Sequence, residues 1–240
     1  MACPTCGHGV LLPEDLDGRS DAKSQADRSD ERWEPEYDEG VFFGVLRCNY
    51  PSCREHVAVA GRTRIEVRGG DYELEPVYRV QYIDPPLTIM QIPTKTPPEV
   101  ADAIVSASKV LWTDPSAAAN KLRHAVELLM TAKRIPATKA KKSGGRSFVS
   151  VDLRIKQWKA KSAANEPAAE QLLAVKWIGN IGSHDSELTP TDVLKGAELM
   201  RVALEYMYET SRKDLLKLAA TIVAKGGKAS AKTLRAKKTP

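Results

Sequence analysis

The chain has 240 residues, of which 42% are apolar and 28% charged, and its formal net charge is +5. That length can bury one large core or two modest ones, and the composition suits a globular protein with some solvated segments. No run of about 18 apolar residues occurs, so no membrane span is expected; "MACPTCGHGV" lacks the basic and apolar regions of a secretory leader, which predicts a cytoplasmic protein.

The chain opens on "CPTC" (Cys3, Cys6), and the only other cysteines are Cys48 and Cys53 of "CNYPSC". Two close pairs supply four thiolates, and each short spacing lets a tight turn point both sulfurs at one ion, as a tetrahedral structural Zn²⁺ requires. Gly7 and Gly9 permit the first turn to curl its amides toward the sulfurs, and Pro51 favours a compact second turn. Arg47 and Arg54 flank the second pair, where they could offset the charge of four thiolates. Two disulfides do not suit a reducing cytosol, and a Cys-x-x-Cys redox pair leaves Cys48 and Cys53 without a role. His8 and His56 are nearby substitutes but are not needed as ligands.

Between the pairs lies an acidic insertion, 13–40. Residues 1–40 carry eleven acids against four bases, a net of −7, and the insertion is expected to be a mobile loop. Then "VFFGVLRC" (41–48), "EHVAVAGRTRIEV" (55–67) and "YELEPVYRVQYI" (72–83) read as strands of a small antiparallel sheet carrying the knuckles, with a turn at 68–71. The predicted architecture is α+β: a zinc-ribbon-like β module over 1–83, a proline-rich linker at 84–98 and a helical bundle at 99–224.

In the bundle, Val100, Ile104, Ala107 and Leu111 share one helix face. Asp114 caps a second helix that starts at Pro115, buries Leu122, Val126 and Leu129, and ends at Pro136. "ATKAKKSGGRS" is a basic loop. Ser150 caps a helix bearing Leu153 and Trp158, and Asn165 caps another that reaches Trp177 and ends at the glycines of "KWIGNIGSHDSE". Thr189 and Pro190 then start a long helix, 190–224, with Val193, Ala197, Met200, Leu204 and Met207, then Leu215, Leu218 and Ile222, on one stripe. Residues 225–240 hold six bases and no acid, so the remainder of the chain has a net charge of −1. That tail reads as a solvated segment, or as a contact to RNA or DNA. No phosphate-binding glycine loop, nucleophile elbow or His-Glu-x-x-His motif is present.

The order "PPEVADAIVSASKVL", "AAANKLRHAVELLM", "KWIGNIGSH" and "LTPTDVLKGAELMRVALEYMYE" resembles the domain of unknown function 4145 family over roughly residues 84–210. Its most specific elements are Arg123 with Glu127, and Gly179, Asn180 and His184. That family is similar to the HEPN group of helical domains, found in ribonuclease toxins, RNA-processing factors and defence systems. The periodic segments already give a bundle of about five helices, and the resemblance adds a nucleic-acid or defence context without implying an activity. HEPN ribonucleases place an arginine shortly before a histidine; for His184 those positions are Gly179, Ile178 and Trp177, while relatives carry arginine where this chain has Lys176.

Two readings of this motif follow. As a ribonuclease, the chain would use His184 as general acid or base, with Arg123 or Lys176 stabilising the phosphorane; lysine lacks the two-pronged grip of arginine. As a structural turn, Gly179 and Gly182 relieve a helix end, Asn180 turns left-handed and His184 satisfies loose carbonyls, while Arg123 and Glu127 form a local ion pair and His124 is a surface residue. The sequence favours a binding or regulatory module in a nucleic-acid-related process, without its own catalysis. RNA or DNA would meet the basic loop 139–146 and the tail. The other reading is a structural protein that forms a homodimer, or pairs with a partner, through helix 190–224.

Overall fold

Alternating apolar residues close into a sheet and periodic ones into helices, as the α+β reading requires. The computed structural model describes residues 1–68, 73–142, 144–181, 188–209 and 218–224, and among these a four-stranded antiparallel sheet precedes five helices. The strands are β1 (Leu11–Ser20), β2 (Glu39–Cys48), β3 (His56–Arg68) and β4 (Glu73–Asp84), paired in chain order. Leu11, Phe42, Leu46, Val57, Val59 and Ile83 pack on one face together with Cys3 and Cys48. Each such burial contributes roughly 1.5–3 kcal/mol.

The first correction concerns the acidic insertion. Instead of a loop, it supplies β1 and a short helix, α1 (Ala22–Asp27). The strand was hidden because its outward positions, Asp15 and Asp17, lie opposite Val45 and Phe43 on the open sheet face, and charged side chains are what an edge strand needs to resist pairing with another chain. Other acids are spent locally. Asp21 caps α1 through the Ser24 N–H and accepts from Arg62 at 2.6 Å, and both contacts hold its carboxyl below the usual range. Residues 69–72, most of the expected turn, lie outside the described residues.

The helices are α2 (Pro98–Val110), α3 (Pro115–Ala132), α4 (Val151–Ala160), α5 (Glu166–Ile181) and α6 (Pro190–Tyr208). Val100, Ile104, Leu111, Leu122, Leu129, Leu172, Met200 and Leu204 fill their common core. Asp114 accepts from the Ala117 N–H at 2.8 Å and Ser150 from the Leu153 N–H at 3.3 Å, as their capping positions predict. Asn165 does not cap α5 as expected; its amide donates to the Trp158 carbonyl instead. Nor does Pro136 set the end of α3. Arg134, at φ 57°, makes the left-handed turn, and the Ile135 N–H bonds the Met130 carbonyl at 2.9 Å, a Schellman closure with buried apolar residues at both ends. Within "ATKAKKSGGRS", β5 (Thr138–Ala140) pairs with β6 (Arg146–Phe148), so the expected loop is a hairpin.

The long last helix is also corrected. Helix α6 ends at Tyr208, where Glu209 leaves helical geometry at ψ 107°, and the helical backbone at 218–224 is a separate stretch. Val193, Ala197, Met200 and Leu204 are buried in the bundle, so this first part of the stripe is internal, while Met207, Leu218 and Ile222 are half-buried. Leu215 lies outside the described residues. Thr189 and Asp192 form a reciprocal capping box at the start of α6; Thr189→Ala should cost about 1 kcal/mol, read as a lower urea midpoint at unchanged m-value. The two parts of the chain meet at Trp112, which packs against both cores, and at Thr113, whose hydroxyl donates to the Gln81 carbonyl at 2.8 Å. No described helix is long and apolar enough to cross a membrane.

Candidate metal centre and helical cleft

The strand register explains how cysteines far apart in sequence meet. Leu11 pairs with Cys48, which sets the turn holding Cys3 and Cys6 beside the end of β2, and the turn after β2 returns Cys53 to the same place. The Asn49 N–H and the Val10 carbonyl, with the Val10 N–H and the Asn49 amide oxygen, stitch the two turns together. Thr5 donates to Glu55 at 2.7 Å across them.

All four sulfurs lie within 4.8 Å of one another, with Cys3 Sγ 3.8 Å from Cys53 Sγ and Cys6 Sγ 3.7 Å from Cys48 Sγ. Four thiolates at a metal–sulfur distance of about 2.3 Å in a tetrahedron stand about 3.8 Å apart, so the cluster has the dimensions of a structural metal site. The Gly9 N–H points at Cys6 Sγ and the Tyr50 N–H at Cys48 Sγ, both at 3.4 Å. Gly9 is required by proximity, because a Cβ there would stand 2.2 Å from Cys48 Sγ.

The thiol electrostatics are consistent with this. The backbone N–H groups of Gly9 and His8 bring Cys6 down to about 6. Burial pushes Cys48 up. At Cys53 a backbone hydrogen bond with Glu55 pulls downward, but burial and the three neighbouring thiols outweigh it and leave the group at about 12. Cys6 gives up its proton more easily than Cys48 or Cys53, since adjacent thiolates repel unless a cation lies between them. Arg47 is not that cation. It lies on the opposite sheet face and pairs with Glu14 at 2.8 Å, where His56 also sits at 3.1 Å. His8 instead faces the Tyr50 ring, and among the described residues only the four cysteines form a metal-ligating cluster.

The second site is a cleft of about 720 Å³ lined by residues of α3, α4, α5 and the hairpin, among them Arg123, Glu127, Phe148, Asp152, Arg154, Lys156, Lys176, Trp177 and Asn180. Arg123 and Lys176, singled out from the sequence, share it. Arg123 pairs with Glu127 at 3.3 Å, as the i, i+4 spacing anticipates, and exposed His124 approaches the same carboxylate at 3.6 Å. Lys176 is buried, with its Nζ 3.5 Å from the Trp177 ring centroid and 3.7 Å from Asp152. Lys156, at 2.8 Å, and behind it Lys176 hold the Asp152 carboxyl below its ordinary range against the opposing effect of burial. His184 and Gly182 lie outside the described residues.

Helix α5 ends at Ile181, between Gly179 and Gly182 as expected, but Asn180 keeps helical geometry and does not turn left-handed. Gly179 marks a helix crossing, where a Cβ would meet Arg123 Cβ at 2.5 Å and the Ala119 carbonyl oxygen at 3.0 Å. The sequence reading missed Arg154, which is 4% exposed and donates to the Ile135 carbonyl at 2.9 Å and to Thr131 Oγ1 at 2.8 Å, satisfying groups that the end of α3 leaves open. Its place among Val151, Ile155 and Trp158 on the buried face was the available signal.

Fold and site together define a two-part chain, a sheet organised around a four-sulfur cluster joined to a helical bundle with a charged cleft. Residues 105–225 match the family model described as Domain of unknown function (DUF4145), which covers 121 of the 240 residues. The chain belongs to that family. Residues 1–84 match a second model, Domain of unknown function (DUF8608). No curated protein and no solved structure matches the chain significantly.

Proposed function

We propose that the protein is a zinc-stabilised, HEPN-like binding or regulatory module acting in a nucleic-acid-related process such as defence or restriction, without catalysis of its own. In this reading 1–83 is the zinc module, 84–98 the linker, 99–224 the effector bundle and 225–240 a basic tail. Cys3, Cys6, Cys48 and Cys53 would hold Zn²⁺, which supplies charge neutralisation and cross-linking rather than reaction chemistry. A cytoplasmic setting fits, because a reducing compartment keeps four free thiols available.

The observation that carries the non-catalytic reading is the pairing inside the cleft. Arg123 faces Glu127 and Lys176 faces Asp152, so the positive charge that would stabilise a phosphorane is already partly neutralised. The polyanion contact is then assigned to the hairpin residues Lys139, Lys141, Lys142 and Arg146 and to the tail, where six bases stand without an acid.

The ribonuclease reading draws support from a different observation: Arg123 and Lys176 share one cleft, and α5, which carries Lys176, runs to Ile181, three residues before His184. One experiment separates the two. Full-length protein and His184→Ala are incubated with total RNA in magnesium-free buffer, and binding is followed at low salt with and without residues 225–240. The expected result is intact RNA with both proteins, together with salt-sensitive binding that weakens several-fold when the tail is removed. Cleavage by the native chain that His184→Ala abolishes makes it an enzyme, and absence of binding to RNA and DNA defeats the module reading.

A further inference from the structure

Two large aromatic side chains stand exposed at the same cleft. Phe148, at the end of β6, is 90% exposed, and Trp177 on α5 is 58% exposed. Each forgoes roughly 1.5–3 kcal/mol that burial would return. Both line the cleft floored by Arg123 and Lys176. Trp177 is held in place by the Lys176 ammonium, 3.5 Å from its ring centroid, while more than half of the residue stays open to solvent.

The charge around these rings is positive. With Arg154 buried and committed to Ile135 and Thr131, the cleft lining carries Arg123, Lys156 and Lys176 against Glu127 and Asp152, a formal excess of one cation. Arg123 Nε is buried with no hydrogen-bond partner among the described residues, which leaves one donor unspent. The hairpin that ends in Phe148 adds Lys139, Lys141, Lys142 and Arg146, all exposed, and no acid occurs from 133 to 151. Exposed π-faces flanked by a rim of exposed cations match the needs of unpaired bases on a phosphate backbone: stacking accepts any base, and the cations follow the chain. A base pair inside a duplex offers no free face to such a ring.

We propose that this cleft binds single-stranded nucleic acid, with bases stacked on Phe148 and Trp177 and phosphates held by the hairpin cations Lys139, Lys141, Lys142 and Arg146. The inference rests on the nucleic-acid reading above and locates its contact.

The test is fluorescence anisotropy with labelled oligouridine and oligothymidine of about twelve nucleotides, and with a duplex of equal length, on the full zinc-bearing chain at about 50 mM salt. Phe148→Ala and Trp177→Ala should each weaken single-strand binding about tenfold while leaving the dependence of log affinity on log salt unchanged. Trp177→Phe, which keeps a stacking ring, should stay within about threefold of the native chain. Whichever oligomer binds more tightly identifies RNA or DNA as the natural strand, provided that its binding is lost with the rings. Native-like binding by both alanine variants overturns the cleft assignment and leaves the module reading intact, as does a duplex bound as tightly as the single strand. Failure of the native chain to bind any of the three overturns the reading itself. Circular dichroism of each variant should match the native chain, as expected for substitutions at exposed side chains.

Discussion

Replacing Cys48 with serine is expected to cost the protein its zinc and most of the stability of the sheet module. The native chain should carry close to one equivalent of zinc on elemental analysis, and Cys48→Ser should carry almost none. Apparent binding free energies of structural zinc at four ligands run to about 10–16 kcal/mol, as large as the whole folding free energy of a typical domain, about 5–15 kcal/mol. The sheet module has little else to lean on: two of its eight buried core side chains are Cys3 and Cys48 of the four-cysteine cluster, and Cys6 and Cys53 pack against them. The sulfurs lie within 4.8 Å of one another, and with no cation between them ionising more than one costs repulsion in a site shielded from water. A chelator should therefore lower the thermal midpoint of the native chain toward that of Cys48→Ser and leave the variant unmoved. Less than about half an equivalent of metal in fresh protein, with unfolding indifferent to chelator, would remove the zinc assignment.

The parts of this architecture that were legible in the sequence are those set by short-range chemistry. Two cysteines two or four residues apart must share a turn, so both knuckles could be seen, and Asp114, Ser150 and Thr189 are helix starts because their side chains satisfy nearby N–H groups whatever surrounds them. Three of the four strands alternate visibly. β1 does not, since Asp15 and Asp17 face outward and Leu11 and Leu16 are its inward apolar residues. Nor could the pattern reveal that α6 stops at Tyr208, because an apolar stripe continues past a break as readily as through a helix. The cleft was half legible. Arg123 and Lys176 were found by motif, but Phe148, Asp152 and Arg154 reach it from α4 and the hairpin, and only the tertiary fold brings those elements to α3 and α5.

Gly179 shows how a local signal can carry a long-range meaning, and it yields the second large prediction. Read along the chain, a glycine near the end of a helical pattern is a stop signal. In the fold it lies in the last turn of α5, two residues before Ile181, and is buried where that helix crosses α3. Propensity alone would make Gly179→Ala stabilising by about 1 kcal/mol. The crossing reverses the sign. An added Cβ stands 2.5 Å from Arg123 Cβ and 3.0 Å from the Ala119 carbonyl oxygen, and both belong to the neighbouring helix at or next to its backbone, so no rotamer change relieves them. The helices must separate, at about 1–3 kcal/mol, and Gly179→Val should cost more because its branched side chain adds bulk at the same place. Gly196 is the internal control. It too sits in a helix, α6, but an added Cβ there meets first Ile178 Cδ1 at 3.2 Å, the far end of a flexible side chain. Gly196→Ala should therefore be neutral or gain stability. Urea unfolding of the two alanine variants reads the difference directly: a midpoint below native for Gly179→Ala and at or above native for Gly196→Ala. Equal shifts in the same direction would mean that the α3–α5 crossing is not the reason for glycine at 179. If the signs differ as expected, the spacing of the two helices is fixed by this contact, and with it the position of Arg123 in the cleft, because the atom that Gly179 spares is Arg123's own Cβ.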